Sequence, residues 1–221
     1  MHIPDAMLSP PVWASAAVVG VGAVAVASRV ASRRLDERQV PLLGVSGAFV
    51  FAVQMLNFWI PPSPTSGHFL GGVLVGALVG PASAVLVLAS VLLLQCLVFQ
   101  DGGFTALGAN LLNMGLVGGL LGALARRLAG APSGKTFGRR LTLLAFAAGW
   151  LATVLGALLC AAEIAVSNAT LLADKNQTVV GLFALMGGIH AAIGVGEGII
   201  TASALGLLVR VRPDLLELEP V

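Results

Sequence analysis

The sequence predicts an all-α, polytopic membrane protein with about seven transmembrane helices, and three observations predict it. Hydrophobic residues make up 57% of the 221 residues, charged residues make up only 10%, and the mean hydropathy is +0.98. A soluble domain would carry about a quarter charged residues. The apolar runs are continuous, whereas a transmembrane barrel would alternate polar and apolar residues. The 28 glycines and the lack of tyrosine favour closely packed helices.

The apolar runs place seven helices, which we expect to form one membrane-embedded domain over residues 1–221. The run from Phe69 to Phe99 is too long for one ordinary span of about 20 residues. Gly80-Pro81 divides it, because proline disfavours helix in the preceding residue and lacks an N–H. The third helix is short, and whether it crosses the membrane fully stays open. The expected helices are 10–31, 40–60, 69–80, 82–100, 106–129, 140–166 and 180–209.

The basic residues predict the orientation of these helices. All of the 12 Lys and Arg residues except Lys175 lie at or after the end of helix 1, from the end of helix 5 to the start of helix 6, or after helix 7. Seven spans place those three regions on one side of the membrane, and the positive-inside rule makes that side cytoplasmic. The N-terminus is therefore expected outside and the C-terminus in the cytoplasm. Six spans would break this pattern, which supports the division at Pro81.

Two connecting segments interrupt the apolar pattern. Pro61–Gly67 is a stiff, turn-rich loop that leads into His68 on the same outer side as the N-terminus. The segment 130–139 is expected to be a cytoplasmic linker. The N-terminus lacks the basic region of a secretory signal, and the large side chain of His2 disfavours removal of Met1.

The first two residues, Met1-His2, form a chelator before any folding. The Met1 amine, the deprotonated backbone nitrogen of His2 and one imidazole nitrogen of His2 can bind one metal through small fused rings. Nitrogen donors in a plane suit Ni(II) or Cu(II) and tolerate Co(II). His68 could supply a fourth nitrogen, and binding would release protons and weaken at low pH. The alternative is that His2 is only an exposed polar residue at the membrane surface.

Ionisable and thiol side chains also lie inside the predicted spans, where an ionisable group points to function. His190 and Glu197 are seven residues apart, about 10 Å along one helix, which is too far for one metal to touch both. His190 is either a hydrogen-bonding partner of an outer metal site or a core histidine bonded to a neighbouring helix. We expect Glu197 and Glu163 to bond across helices. Cys96 and Cys160 are interpreted as small apolar fillers.

Polar residues near helix 5 form another candidate group. Asp101 can cap the helix or hydrogen-bond an outer site. Asn110 and Asn113 lie about one turn apart on the same face. They are expected either to join helices or to orient the ligands of a metal. Glycines at four-residue spacing, which let helix backbones approach closely, include Gly72, Gly76 and Gly80.

The sequence also excludes some functions. It contains no Walker A motif, so ATP hydrolysis by that route is excluded. It shows no nucleophile–base set and no nucleic-acid signature. We therefore expect a protein that is not an enzyme and whose partners include the lipid bilayer but no nucleic acid.

Three motifs together resemble one known family. They are Met1-His2-Ile3-Pro4-Asp5, then Thr65-Ser66-Gly67-His68 followed by Gly71-Gly72, and then Asp101-Gly102-Gly103 with Ala106-Leu107-Gly108-Ala109-Asn110 and Asn113-Met114-Gly115. Over nearly its whole length the chain resembles the CbiM/NikM substrate-binding subunits of energy-coupling-factor transporters for cobalt and nickel. The family usually has glycine after Pro4-Asp5, where this chain has Ala6.

The resemblance implies a seven-helix protein of a prokaryotic inner (plasma) membrane, linked to metal-ion transport and cobalamin biosynthesis. It implies a metal held by the Met1 amine, the His2 amide and ring nitrogens, and His68. It also implies a transmembrane coupling subunit, two cytoplasmic ATPases and often a small accessory membrane subunit as partners. The side chains expected to hydrogen-bond around the metal ligands are Asp5, Asp101, Asn110, Asn113 and His190.

The sequence therefore predicts the substrate-capture subunit of an ATP-driven importer that binds Co(II) or Ni(II) at the extracellular face. It does not choose between the two metals. One alternative is a stand-alone secondary divalent-metal transporter, which would carry its site near the membrane midplane. Only Glu163, His190 and Glu197 are candidates for such a site. A second alternative is a structural or assembly subunit without a ligand.

Overall fold

Helices account for most of the chain in the computed structural model, which describes residues 1–59, 66–132, 134–168, 179–217 and 220–221. One antiparallel pair of two-residue strands, β1 (Phe58–Trp59) and β2 (Ser66–Gly67), lies between the second and third helices. The helices of the described residues are α1 (Pro10–Arg34), α2 (Val40–Gln54), α3 (Gly72–Val79), α4 (Pro81–Phe99), α5 (Leu107–Ala129), α6 (Gly134–Ser167), α7 (Val179–Val211) and the short α8 (Asp214–Glu217).

Five of the described helices, namely α1, α4, α5, α6 and α7, are long and apolar enough to cross a membrane. The chain is therefore an all-α, multi-pass membrane protein. The helices α2 and α3 contain 15 and 8 residues. At about 1.5 Å per residue, α3 is much shorter than the membrane core of about 30 Å. The expectation of a short third helix is confirmed.

The division of the long apolar run at Gly80-Pro81 is also confirmed. Gly80 has a φ of +93°, outside the helical range, so α3 ends at Val79. Pro81 begins α4, where its fixed φ suits the first helical turn and its missing N–H costs nothing. Every residue of α3 is buried. This short helix therefore lies inside the bundle.

Two predicted boundaries are wrong. The second helix was expected to reach residue 60, but α2 ends at Gln54, because the chain turns into β1, which pairs with β2. The linker 130–139 is shorter than expected, since α6 already begins at Gly134. Within this linker, Gly130 with a φ of +91° marks the end of α5. Residues 61–65 of the Pro61–Gly67 loop, Ser133 and Lys175 lie outside the described residues.

The helices α3 and α5 cross at backbone contact. A Cβ atom added to Gly76 would lie 2.3 Å from the carbonyl oxygen of Gly119, and one added to Gly122 would lie 2.2 Å from that of Val73. The helices α6 and α7 form a long antiparallel pair in which Trp150 Nε1 donates to the carbonyl oxygen of Ala191 at 3.0 Å. The predicted role of the regularly spaced glycines is confirmed for α3.

Wide π-type turns occur in two helices, over Gln95–Phe99 in α4 and Leu111–Leu116 in α5. Such turns often occur at functional sites. Both lie at the end of the bundle where the N-terminal segment is buried, since Asn110, which precedes the second turn, bonds to Ile3. The two turns therefore frame the candidate site.

Candidate metal centre

The first three residues are buried inside the bundle ahead of α1. Met1 and Ile3 are fully buried, and His2 is 4% exposed. The backbone N–H of Ile3 donates to Asn110 Oδ1 at 2.8 Å, and its carbonyl accepts from Asn110 Nδ2 at 3.2 Å and from the N–H of Gly103 at 2.8 Å. Because buried backbone groups need partners, these bonds hold the N-terminal segment in place. His2 is not an exposed surface residue.

Asp5 fastens the next part of the segment to the chain before α5. Its carboxylate accepts from the N–H of Phe104 at 3.1 Å and from the N–H and hydroxyl of Thr105 at 2.8 and 2.6 Å. The bonds from Thr105 hold the pKa of Asp5 below its usual value. Ala6 follows with a φ of +66°, a conformation that glycine adopts more readily. This explains why glycine suits the position where this chain has alanine.

The Met1 amine and the His68 ring lie next to each other. The amine nitrogen is 2.8 Å from His68 Nε2 and also donates to the carbonyl oxygen of Ser66. His68 Nδ1 lies 2.7 Å from the carbonyl oxygen of Phe69. A carbonyl cannot donate, so Nδ1 carries the proton and Nε2 presents its lone pair to the amine.

The separation of these two nitrogens fits a shared metal ion. Metal–nitrogen bonds are about 2.0 Å long for first-row ions such as zinc. Two donors at right angles around one metal are then about 2.8 Å apart, because the edge of such a square is about 1.4 times the bond length. The Met1 nitrogen and His68 Nε2 have this spacing.

His2 lies against His68, and its ring faces a carboxylate. The two imidazole rings are stacked, with centroids 4.4 Å apart and planes 18° apart. His2 Nδ1 lies 3.1 Å from Asp101 Oδ1, and Asp101 Oδ2 accepts from Asn57 Nδ2 at 2.6 Å. The fused chelate needs Nδ1, since only this ring nitrogen closes a six-membered ring with the His2 amide. Chelation therefore requires the His2 ring to turn away from Asp101.

Burial keeps the nitrogen donors uncharged. It lowers the pKa of the Met1 amine from 8.0 to about 5 and lowers the pKa of His2. It also lowers the pKa of His68 well below the usual value, and the nearby Met1 amine acts in the same direction. Burial opposes ionisation of Asp101, but the hydrogen bond to His2 lowers the pKa of its carboxyl group overall. Neutral amine and imidazole nitrogens are the forms that bind metals.

The loop that carries His68 is held by two buried side chains from different helices. Glu197 of α7 accepts from the N–H of Leu70 at 2.7 Å and from the N–H of Gly71 at 3.1 Å. Gln54 of α2 donates to the carbonyl oxygen of Leu70 at 2.6 Å. Glu197 was expected to bond across helices, but its partner is instead the loop backbone next to His68, ahead of α3.

His190 lies at the level of Met1 in the bundle. The antiparallel pairing sets Trp150 against Gly194 and Leu158 against Gly187, which places His190 opposite residues 154–155, within two residues of Gly156. A Cβ atom added to Gly156 would lie 2.7 Å from Met1 Cε. His190 Nδ1 donates to the carbonyl oxygen of Met186 at 2.8 Å, and its buried Nε2 has no hydrogen-bond partner among the described residues.

Asn113 and Asn110 share a helix but bind different partners. Asn113 Nδ2 donates to Glu163 Oε2 at 2.8 Å, which joins α5 to α6. This confirms that Glu163 bonds across helices. The wide turn of α5 begins directly after Asn110 and changes the residue spacing. Asn110 therefore holds the N-terminal segment, whereas Asn113 joins two helices.

Sequence reasoning missed two glutamines of this region, Gln54 and Gln95. Both are fully buried, Gln95 lies beside His2, and Gln54 holds the His68 loop. The available signal was a polar amide within an apolar run, which is costly to bury unless it has a hydrogen-bond partner.

Among the described residues, no three His, Cys, Asp or Glu side chains are grouped to hold a metal ion. A metal here would need the amine and backbone nitrogens.

The chain is similar to known metal transport proteins along nearly its whole length. The family model CbiM, described as cobalt uptake substrate-specific transmembrane region, matches residues 2–215. A fused nickel transport protein NikMN of Rhodobacter capsulatus is 35% identical over 98% of this chain and 64% of its own length. A cobalt transport protein CbiM of Sorangium cellulosum is 30% identical over 98% of this chain and 95% of its own length. A crystal structure of a truncated transition metal transporter superposes with a TM-score of 0.82 at 28% identity, covering 95% of this chain and 98% of that one.

Proposed function

The chain belongs to the CbiM family, and from this premise we propose that it is the subunit of an importer that captures Co(II) or Ni(II) as substrate. The metal is bound by the Met1 amine, the deprotonated amide and a ring nitrogen of His2, and Nε2 of His68. Asp5 and Asn110 hold the N-terminal segment that carries these ligands. Asp101 faces the His2 ring, and Asn113 and His190 lie near Met1 in the bundle. The chain is a transport protein and not an enzyme.

One observation carries this proposal. The Met1 amine and His68 Nε2 are buried 2.8 Å apart, with the His68 proton held on the opposite nitrogen by Phe69. This places two lone pairs where neighbouring ligands of one metal belong. The His2 amide and ring complete a set of four nitrogens, a planar set that favours Ni(II) and tolerates Co(II). Deprotonation of the amide excludes metals that bind backbone nitrogen poorly.

The proposed topology follows the basic residues. Seven helices, counting the short α2 and α3, place the N-terminus and the metal site at the extracellular face and the C-terminus in the cytoplasm. The membrane is the plasma membrane of a prokaryote. This arrangement supports capture of a scarce metal from outside.

The proposed partners are those of an energy-coupling-factor importer. A transmembrane coupling subunit and two cytoplasmic ATPases drive release of the metal, and a small accessory membrane subunit assists. The fused nickel relative, which is longer than this chain, supports association with a further component. The chain itself has no Walker A motif with which to bind ATP.

The alternative of a stand-alone secondary transporter is less well supported. It requires a site near the midplane. Among the described residues, Glu163 and Glu197 are occupied with hydrogen bonds to Asn113 and to the backbone of the His68 loop. The two functions are distinguished by measuring uptake of radioactive nickel in cells that express the chain alone and in cells that also express the coupling subunit and ATPases. Uptake that requires the coupling subunit and ATPases supports the importer, whereas full uptake without them supports the alternative.

Equilibrium dialysis of the purified full chain against nickel or cobalt tests the capture function. We expect tight binding of one ion per chain and a loss of at least tenfold in affinity for His68→Ala. Trp150→Phe is the control, because it removes a hydrogen bond between α6 and α7 without touching the site. Equal nickel affinity in His68→Ala and the parent chain would contradict the ligand set, and absence of binding in the parent chain would support a purely structural subunit.

A further inference from the structure

A long groove separates α6 and α7 at the end of the bundle where α6 begins and α7 ends. Its volume is about 1030 Å³. We call it the α6–α7 groove, and it is lined by residues between Lys135 and Phe146 on α6 and between Ile199 and Arg210 on α7. The two helices approach closely along it, because a Cβ atom added to Gly138 would lie 2.7 Å from Val209 Cγ1.

The polar and apolar parts of this groove are separated along its length. The three cations Lys135, Arg139 and Arg210 lie at the end where α6 starts. All three are exposed, and none makes an ion pair within the described part of the chain. Among the described residues, no carboxylate lines the groove. Its mouth therefore carries positive charge that an anion from outside the chain can balance.

The deeper part of the groove is apolar. Leu143 and Phe146 of α6 face Ile199 and Leu207 of α7. From Lys135 to Phe146 the groove follows α6 for 11 residues, or about 16 Å at 1.5 Å per residue. This is about half of a membrane core of about 30 Å. The length fits the acyl chain of a lipid in one leaflet, whereas a transmembrane helix of a partner would need a groove about twice as long.

A second basic cluster on α1 shows that charge alone does not make such a groove. Arg29, Arg33 and Arg34 line a concavity whose lining residues all belong to α1. No second helix closes this concavity, but Arg34 also lines an apolar groove between α1 and α4. Arg29 and Arg33 are absent from the lining of that second groove, and they therefore provide the comparison.

We propose that the α6–α7 groove binds an anionic phospholipid, with its phosphate against Lys135, Arg139 and Arg210 and one acyl chain between Leu143, Phe146, Ile199 and Leu207. Basic pockets between transmembrane helices recognise anionic headgroups in this way. The lipid would fill the space between the two helices where their side chains leave it open. The proposal does not depend on the metal site.

Native mass spectrometry of the full chain, released from nanodiscs of equal parts phosphatidylglycerol and phosphatidylcholine, tests this. We expect retained phosphatidylglycerol on the parent chain. Each basic residue near an anionic lipid surface strengthens binding by roughly fivefold. Lys135→Gln, Arg139→Gln and Arg210→Gln together should therefore reduce retention by on the order of tenfold or more. Arg29→Gln and Arg33→Gln together should leave retention unchanged, because the concavity that they line is formed by α1 alone.

A second variant separates the groove from the charges. Ser203→Leu fills the exposed lining without changing the charge, and we expect it to reduce phosphatidylglycerol retention as well. Excess inorganic phosphate should not displace the lipid, because phosphate lacks the acyl chain. A loss of phosphatidylglycerol in the α1 double variant equal to that in the groove triple variant, or full retention in Ser203→Leu, would overturn the proposal. Retention of a co-purified coupling subunit in place of lipid, lost in Ser203→Leu, would instead identify the groove as a protein interface.

Discussion

At the residue scale, the Met1 amine is the group on which the proposed metal site depends. Its folded-state pKa is lowered by burial from 8.0 to about 5. Between these values the unfolded chain binds a proton on this amine and the folded chain does not. Stability therefore rises as the pH increases through this window. The pKa values of His2 and His68 are also lowered in the folded chain. Below the ordinary pKa of histidine, these two side chains therefore also make the folded chain less stable as the pH falls.

This gives a prediction for the metal-free protein. Thermal unfolding in detergent should show stability increasing from pH 5 to pH 8, by an amount on the order of 2–4 kcal/mol for the amine. A chain with one extra residue before Met1 carries its amine elsewhere and should show a flatter profile. Stability that falls over this interval would contradict the burial of an uncharged amine.

Sequence patterns predicted several members of the site at this scale. Met1, His2 and His68 were expected together, and the structure brings them into contact. The ring orientation of His2 was not predictable, because it depends on Asp101, which is distant in the chain. Gln54 and Gln95 were missed, since a lone amide in an apolar run does not reveal which buried backbone or side chain it bonds.

At the element scale, the loop after His68 connects the metal site to α7. Glu197 binds the N–H groups of Leu70 and Gly71. Glu197→Gln keeps an acceptor for one N–H but loses the second oxygen, and Glu197→Ala loses both. We expect nickel affinity to fall in the order parent, Gln variant, Ala variant, with a loss of about 10–100-fold for alanine.

Absorption spectra of the nickel-loaded variants add a readout that general destabilisation would not change. The spectrum of Glu197→Ala should move towards that of His68→Ala, since both weaken the same ligand. Trp150→Phe, which alters another contact of α7, should keep the parent spectrum. If the alanine variant also keeps the parent spectrum and affinity, Glu197 does not position His68.

The crossing of α3 and α5 gives another prediction for a helical element. Gly76→Ala would place a methyl group 2.3 Å from the Gly119 carbonyl oxygen. The helices must separate, and we expect a loss of about 1–3 kcal/mol or more. Gly44→Ala in α2 is the control, because nothing lies within 4 Å of its added Cβ. Unfolding in increasing denaturant should give the parent and Gly44→Ala a clearly higher free energy of unfolding than Gly76→Ala. Equal stability of all three would contradict the close crossing.

Element boundaries were predictable where a breaker residue marks them. Gly80-Pro81 divided α3 from α4 because proline fixes its own φ and restricts its neighbour. The end of α2 was missed, since the residues after Gln54 remain apolar and only tertiary pairing turns Phe58–Trp59 into β1. The start of α6 was missed because Gly134 gives no helix signal, although the basic residues after it permit helix.

At the scale of the whole molecule, the orientation in the membrane is open to a direct test. Cysteines are introduced singly at Ser9, Arg38 and Arg140 in a chain whose Cys96 and Cys160 are replaced by alanine. A membrane-impermeant maleimide added to intact cells should label the cysteine at position 9 and leave those at 38 and 140 unlabelled until the cells are opened. Labelling of 38 or 140 from outside would contradict the proposed topology.

The central claim concerns the free amino end of the chain, and nickel binding by a chain extended with one glycine before Met1 tests it most directly. The extra residue moves the amine out of the five-membered ring that it closes with the His2 amide, and it crowds the buried pocket against Ser66 and His68. Mass spectrometry first verifies the amino end of both chains. The account predicts that the extended chain loses tight nickel binding while the parent chain retains it, and unchanged nickel affinity in the extended chain would contradict the account.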